Sequence, residues 1–331
     1  MQNKVNLSKV AKEMGLSVST VSRALSGNGR ISEETRKKVA AYLKDKNLVP
    51  NTRERRYTDL KTRIVAVTIP EEEDFFFMPY FQTILFSIYD YFSIRGYQVI
   101  PIKTNAYNII NLEQAVRDHA MDGVIISRVL ETHKEIELLQ EERVPFVQIG
   151  RLEDVDIMQV DANIEGACFD LTNALIHKGY HRIAVMCSRR LDPINELRLK
   201  GIMRAYVQNY MVLNREFVFW ETETSSIAEL AIEKILLGKQ DCILCMDDNI
   251  CLKVLLILGK MGINIPQQIK VASLHNSSLL EKWNPSITCV HYDANALGKE
   301  AGKMLHACLT EGRRLENVML GYEIQMKEST S

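Results

Sequence analysis

The sequence contains no apolar run near the roughly 18 to 20 residues that a membrane-crossing helix needs, and its opening stretch, MQNKVNLSKV, is too polar for a signal peptide. A cytoplasmic protein without a membrane partner is expected. Only 8 prolines and 16 glycines occur in 331 residues, which excludes fibrous and low-complexity chains. The 7 cysteines are an odd count on mostly apolar segments, so a disulfide scaffold is not expected and reduced, buried thiols are. The pair Cys242 and Cys245 has no second pair or neighbouring histidine to complete four metal ligands, and in a strand their side chains point to opposite faces. No phosphate-binding GxxxxGK[ST], no GxGxxG after a strand, no GxSxG and no HExxH is present. An enzyme, a bound metal and a cofactor are therefore not expected. The segment Met326–Ser331 carries no leucine heptad, so no coiled-coil tail is expected either.

What is present describes an ordinary globular protein, 46% apolar and 25% charged, long enough for two or three domains. Its net charge of −1 hides a strong asymmetry. Residues 1–63 hold 15 Lys and Arg against 6 Asp and Glu, a net of +9, which leaves −10 on the remainder. A basic head on an acidic body is the footprint of a chain that meets phosphates at one end. Leu7, Val10, Ala11 and Met14 repeat at helical spacing and Gly15 can end that helix. Ser17 can cap a second helix that places Val21 and Leu25 inward and leaves Ser19, Ser22 and Arg23 outward. Ser32, followed by Glu33 and Glu34, caps a third helix with Val39, Ala40 and Leu43 facing the core. Residues 51–63, NTRERRYTDLKTR, hold 7 charged side chains and read as a linker.

From Ile64 onward short apolar strands alternate with helical stretches: IVAVTI, a helix over 80–95, YQVIPI, a helix near 111–119, GVIIS and PFVQIG. The alternation restarts after Asp161 with helix 165–178, RIAVMC, helix 194–209, FVFW, helix 226–237, CILCM, helix 248–260 and VASL. This pattern predicts an α/β fold, two doubly wound parallel-sheet lobes behind a small all-helical head.

The segment LSKVAKEMGLSVSTVSRALSGNGRISEETRKKVAAYLKDKNLVPN resembles the DNA-binding head of the lactose-repressor (LacI/GalR) family, with Val10-Ala11, Gly15, Ser17, Thr20-Val21-Ser22-Arg23, Ser32 and Glu34-Thr35-Arg36 in one register. The body is similar too, at Met78-Pro79-Tyr80-Phe81, Arg95-Gly96-Tyr97, Met121-Asp122-Gly123, Lys178-Gly179-Tyr180-His181-Arg182 and Pro285-Ser286-Ile287-Thr288. The loop Pro70–Phe77, the segment Pro145–Arg151 and Leu274-His275-Asn276-Ser277 resemble the maltose-type repressors of that family, whereas many of its sugar repressors carry two aspartates in place of His275-Asn276. The resemblance implies a helix-turn-helix head over 1–50 and a hinge over 51–62. It implies a periplasmic-binding-protein-like core with one lobe from 63–161 and 292–321 and another from 162–291 and 322–331. It implies a ligand-responsive repressor that binds a palindromic operator as a homodimer and controls maltose, maltodextrin or related sugar utilisation. Its partners would be double-stranded operator DNA, a sugar effector, a second copy of the chain and a phosphocarrier-protein corepressor. The competing readings are a small-molecule-binding module and a sugar-active α/β enzyme, both without a DNA role.

Residue by residue, the resemblance places Val18, Ser19 and Arg23 at base-reading positions, and an arginine there bonds either a guanine edge at two points or a phosphate. Asn6, Ser17, Thr20, Ser22, Ser26, Ser32 and Thr35 match phosphate-contact positions. In the hinge Tyr57 stands where the family carries a leucine wedge, and it can insert, stack or stay out; Arg53, Arg55 and Arg56 suit a narrow, electronegative minor groove or simply a solvated linker. In the core Arg198 matches the arginine aimed at sugar hydroxyls, and Tyr80 and Phe81 have family support as effector contacts. Asp247, Asp248 and His275 follow strand ends, where open α/β sheets place ligands, although Asp248 can equally be a helix cap. Phe77 and Trp220 are aromatics that serve either as sugar platforms or as core.

Overall fold

The structure, a computed structural model, describes residues 7–26, 31–46, 62–71, 78–153 and 155–331. The chain divides into two compact units, Met1–Leu60 and Lys61–Ser331. Asn6, Arg53, Arg55, Arg56, Tyr57 and Phe77 lie outside the described residues.

In the first unit three helices form, α1 (Leu7–Met14), α2 (Val18–Ser26) and α3 (Glu33–Asp45). Gly15 adopts φ +64, a left-handed turn that few other residues accept, and the Leu16 N–H returns to the Ala11 carbonyl at 2.9 Å. The chain then re-enters a helix at once, because Ser17 Oγ accepts from the Thr20 N–H at 3.0 Å; Ser32 Oγ does the same for Thr35 at 3.2 Å. Val10, Ala11, Val21, Val39 and Leu43 are buried together, drawn from all three helices. So small a core holds one geometry because turn and caps fix the entry angles.

The second unit contains two six-stranded sheets. The first is assembled from β1 (Ile64–Pro70), β2 (Gln98–Thr104), β3 (Gly123–Ile126), β4 (Phe146–Ile149), β5 (Gln159–Asp161) and, late in the chain, β11 (Val318–Met319). Their order is β11-β5-β4-β3-β1-β2 and every pairing is parallel. The second sheet joins β6 (Ile183–Met186), β7 (Val218–Phe219), β8 (Cys242–Cys245), β9 (Lys270–Ser273), β10 (Thr288–Tyr292) and β12 (Tyr322–Gln325) in the order β12-β10-β9-β8-β6-β7. Only the β10/β12 pairing is antiparallel. The predicted doubly wound α/β architecture is what forms. Strands GVII, FVQI, IAVM and CILC are buried at every position, which is why they read as continuous apolar runs and not as alternations.

The connecting helices are α4 (Pro79–Ser93), α5 (Ile110–Arg117), α6 (Lys134–Glu141), α7 (Ile164–His177), α8 (Pro193–Gln208), α9 (Ser225–Leu237), α10 (Asp248–Lys260) and α11 (Ala294–Glu311). Helix α6 was not expected from the sequence: its 8 residues, KEIELLQE, show only Ile136 and Leu139 as buried apolar positions, too few for a periodicity to register. The chain passes between the sheets three times, from β5 into α7, from β10 into α11, and from β11 into β12. All seven cysteines are free; six are buried, and Cys242 and Cys245 belong to different core clusters, as opposite strand faces require.

Two helix pairs pack at close range through glycine. A Cβ at Gly201 on α8 would lie 2.4 Å from the Glu165 carbonyl of α7, and one at Gly298 on α11 would lie 1.8 Å from Ser87 Oγ of α4. Gly201→Ala must therefore force α8 off α7 against a backbone atom that cannot swing aside. We expect a loss of about 1–3 kcal/mol, measured by urea unfolding of the full chain. An unchanged midpoint would contradict the close approach.

Candidate functional site

Among the described residues of the head, hydroxyl side chains gather at two helix starts. Val18 and Ser19, the first residues of α2, are exposed, and Ser17, Ser19 and Thr20 form one hydroxyl cluster, with Ser17 Oγ 2.8 Å from Ser19 Oγ and 2.7 Å from Thr20 Oγ1. Ser32 and Thr35 repeat the pairing at the start of α3, 2.8 Å apart. Both clusters sit at helix N-termini, where free N–H groups and the macrodipole favour a phosphate. Ser22, Arg23 and Ser26 lie on α2, and their side chains are outside what the structure describes.

In the second unit the polar residues collect where the carboxyl ends of strands from both sheets meet. Asp192 opens α8 as its N-cap, with Pro193 at the first helical position, so that Asn195 and Arg198 follow on one face. Arg198 is 7% exposed; its Nη1 donates to Asn195 Oδ1 at 3.1 Å, while its Nε is buried without a hydrogen-bond partner among the described residues. Asn195 is itself held, donating to Ser188 Oγ at 2.8 Å and to the Arg189 carbonyl at 2.9 Å. Burial pushes the carboxyls of Asp192 and Asp247 up, and the Arg198 guanidinium is the largest charge pulling each back. The same guanidinium opposes the rise that burial and Asp161 impose on the Tyr80 phenol. One buried cation thus serves three acidic groups.

The two aspartates after β8 divide their work. Asp247 is the cap of α10, accepting from the Ile250 N–H at 2.8 Å. Asp248, for which a capping role was open, instead accepts from Ser277 Oγ and pairs with His275 Nδ1 at 3.0 Å. Burial would raise the Asp248 carboxyl, but the neighbouring His275 ring and the hydrogen bonds from His275 and Ser277 outweigh it and bring it down to about 2. His275 lies between two rings, edge-on to Tyr80 of α4 at 4.8 Å and stacked on Tyr292 at the end of β10 at 5.9 Å. Phe81 packs edge-on to Tyr80 at 5.5 Å. Tyr80, Arg198, Asp247, Asp248 and His275 therefore converge, Tyr80 from the first-sheet side and the rest from the second. Trp220 is half-buried against the core, with the Arg190 guanidinium 5.7 Å from its ring centroid.

A cleft of about 290 Å³ continues outward from Asp192. Glu71, Asn105, Tyr107, Arg128 and Glu131 line it from the first-sheet side, and Arg189 and Asp192 from the second. Apart from Glu71, which belongs to the loop that resembles maltose-type repressors, none of these was singled out from the sequence. They follow the carboxyl ends of β1, β2, β3 and β6, so the rule that ligands bind there would have found them had it been applied to every strand.

Comparison with known proteins agrees with this geometry. Residues 6–51 match the bacterial regulatory proteins of the lacI family, and residues 172–330 match a periplasmic binding protein-like domain. The chain thus carries a lacI-family DNA-binding domain followed by a periplasmic binding protein-like domain. Catabolite control protein A of Staphylococcus xylosus is 26% identical over 332 residues, spanning 98% of this chain and 99% of the relative. Among solved structures, the transcriptional regulator CelR in complex with cellobiose superposes with a TM-score of 0.72 at 24% identity, covering 98% of this chain and 99% of that one. A probable maltose operon repressor, malR, from a Staphylococcus gives 0.74 at 20% identity over 82% of this chain and 98% of that one. The family model matched at residues 6–51 describes bacterial regulatory proteins, and the full-length relatives are regulators and not enzymes. No described helix is long and apolar enough to cross a membrane.

The Asp248–His275 pair has a measurable signature. A folded-state carboxyl held near 2 stabilises the fold above its unfolded value, and that contribution is lost as pH falls through about 2. Asp248→Asn should therefore lower stability at pH 5, and the gap to the unsubstituted protein should narrow between pH 4 and pH 2. Urea titrations across that range check it; a pH-independent gap would mean that packing, not charge, holds the pair.

Proposed function

We propose that the chain is a ligand-controlled repressor that binds a two-fold operator as a homodimer and takes a sugar of the maltose type in the cleft between the two sheets. The observation that carries this reading is Arg198: a guanidinium buried between strand ends, with an unmade hydrogen bond at Nε, on the same chain as a lacI-family head. A buried donor left unsatisfied costs about 1–3 kcal/mol, and a polyhydroxyl ligand supplies the acceptor. Tyr80, Phe81, Asp247, Asp248 and His275 complete the effector set in this reading. The boundaries follow from it: head 1–50, hinge 51–62, one lobe from 63–161 with 292–321, the other from 162–291 with 322–331.

On DNA, Val18, Ser19 and Arg23 read bases, and Asn6, Ser17, Thr20, Ser22, Ser26, Ser32 and Thr35 hold phosphates. The exposed hydroxyl clusters at the starts of α2 and α3 support the second role. In this reading the hinge arginines Arg53, Arg55 and Arg56 suit the minor groove, and Tyr57 beside them inserts, stacks or stays out. Dimerisation is supported by apolar side chains left in water: Phe86 and Tyr89 on α4, Ile227 and Leu230 on α9, and Leu256 on α10. One head reads a half-site, and a two-fold dimer reads two.

The deciding experiment selects a DNA site from a random pool and follows its binding by anisotropy while maltose and maltodextrins are added. A two-fold site and a dimer by light scattering at micromolar concentration are expected, with affinity that changes on adding sugar. Arg23→Ala should cost about 1–3 kcal/mol and relax one base pair in each half-site. An asymmetric site, a monomer, or a uniform loss on all sequences would count against the corresponding part. Adding a phosphocarrier protein to the same titration tests the protein corepressor that the resemblance implies.

A further inference from the structure

Tyr107, in the loop between β2 and α5, is an exposed aromatic that is nonetheless fixed from several directions. Its ring is 71% exposed, yet its hydroxyl donates to Glu131 at 2.9 Å and its N–H donates to Asn105 Oδ1 at 2.8 Å. Asn105 is anchored in turn, since its amide donates to Glu71, which also accepts from Asn108 at 3.1 Å. The carbonyl of the preceding Ala106 accepts from Thr132 Oγ1 at 2.6 Å. An exposed tyrosine normally samples several rotamers; this one is bonded at both ends, so a ligand that stacks on it meets little ordering cost.

Its surroundings make the ring one wall of a longer path. Tyr107 lines the 290 Å³ cleft together with Arg128, Glu131, Arg189 and Asp192. Asp192 and Arg189 join this cleft to the inner cluster, because Asp192 caps α8 and Asn195, which accepts from Arg198, donates to the Arg189 carbonyl at 2.9 Å; the Asp192 carboxyl also feels the guanidiniums of Arg198, Arg128 and Arg189. The Arg189 charge reaches the Tyr107 phenol as well, against the upward push from Glu131. Polar groups therefore lead from Arg198 through Asn195 to Arg189 and Asp192, which share the cleft with the aromatic face of Tyr107.

We propose that Tyr107 is the stacking platform of an outer subsite, so that the effector is an oligosaccharide of at least two rings, one held at Arg198 and a further one laid on Tyr107. This rests on the reading of the effector as a sugar. The chemistry suits a pyranose: its apolar C–H face stacks on the negative face of the phenol, while its edge hydroxyls bond the guanidiniums and carboxylates on either side. A monosaccharide would fill one end and leave the other wet.

Calorimetry on the full chain with two probe series, glucose to maltotetraose and glucose to cellotetraose, tests this. In one series affinity is expected to rise about tenfold at a single chain-length step. Tyr107→Ala should erase that step and leave glucose affinity unchanged, and Tyr107→Phe should keep most of it because the ring remains. Equal weakening of glucose by Tyr107→Ala would make the residue a loop support, and the absence of any step in the unsubstituted protein would remove the outer subsite; either result overturns the proposal while the sugar reading stands. If neither series binds at any length, the sugar reading falls and takes the platform with it.

Discussion

Arg198→Ala is expected to abolish the effect of sugar on operator binding while leaving sugar-free DNA affinity within about twofold, since in linkage terms only the coupling is removed. The guanidinium is the donor whose Nε is unsatisfied and the charge that Asp192, Asp247 and Tyr80 share. Without it the ligand loses its charged hydroxyl contact. The substitution also has a structural consequence: two buried carboxyls lose their main cation, and breaking a buried charge arrangement from one side costs about 3–5 kcal/mol. A thermal scan of the variant should show this loss, and DNA binding should be read well below its midpoint. Arg198→Lys separates the two effects, because it returns a positive charge without the planar fork that bonds two hydroxyls at once. Stability should recover with the lysine while the sugar response stays weak. A fully responsive alanine variant would remove Arg198 from the effector site.

Deleting residues 1–60 should abolish operator affinity and leave sugar binding by Lys61–Ser331 intact. Those residues form a separate compact unit, and most of the basic charge of the chain's first 63 residues, net +9, lies in them. For the intact protein the same charge predicts a steep salt dependence. Contacts to 6–10 phosphates would cost about three to five orders of magnitude in affinity between 50 and 200 mM salt. A shallow slope, or a truncated chain that still binds the selected site, would place the DNA interface elsewhere. Sugar titration of the truncated chain shows that the loss does not come from unfolding.

The head was legible in the sequence because its determinants are local. Gly15 supplies the left-handed turn, Ser17 and Ser32 cap helices three residues ahead, and Val10, Val21, Val39 and Leu43 fall at helical spacing and are buried. The alternation of apolar strands with helices likewise marked the two parallel sheets, since strands covered on both faces must be apolar throughout. Helix α6 escaped because eight residues with two buried aliphatics carry almost no periodic signal.

The site was legible only as a set of residue types near strand ends. Which aspartate caps α10 and which meets a partner could not be read from Asp247-Asp248, since either side chain reaches the same N–H groups in an isolated turn. The tertiary structure decided it by bringing Ser277 and His275, 29 and 27 residues beyond Asp248, onto one carboxylate, and Tyr80 of another layer onto the same imidazole. Glu71, Tyr107, Arg128 and Arg189 became neighbours for the same reason. A helix cap or a turn is settled by interactions within a few residues, which the local sequence specifies; a cleft between sheets is settled by strand order and by three crossings of the chain, which no window of sequence contains.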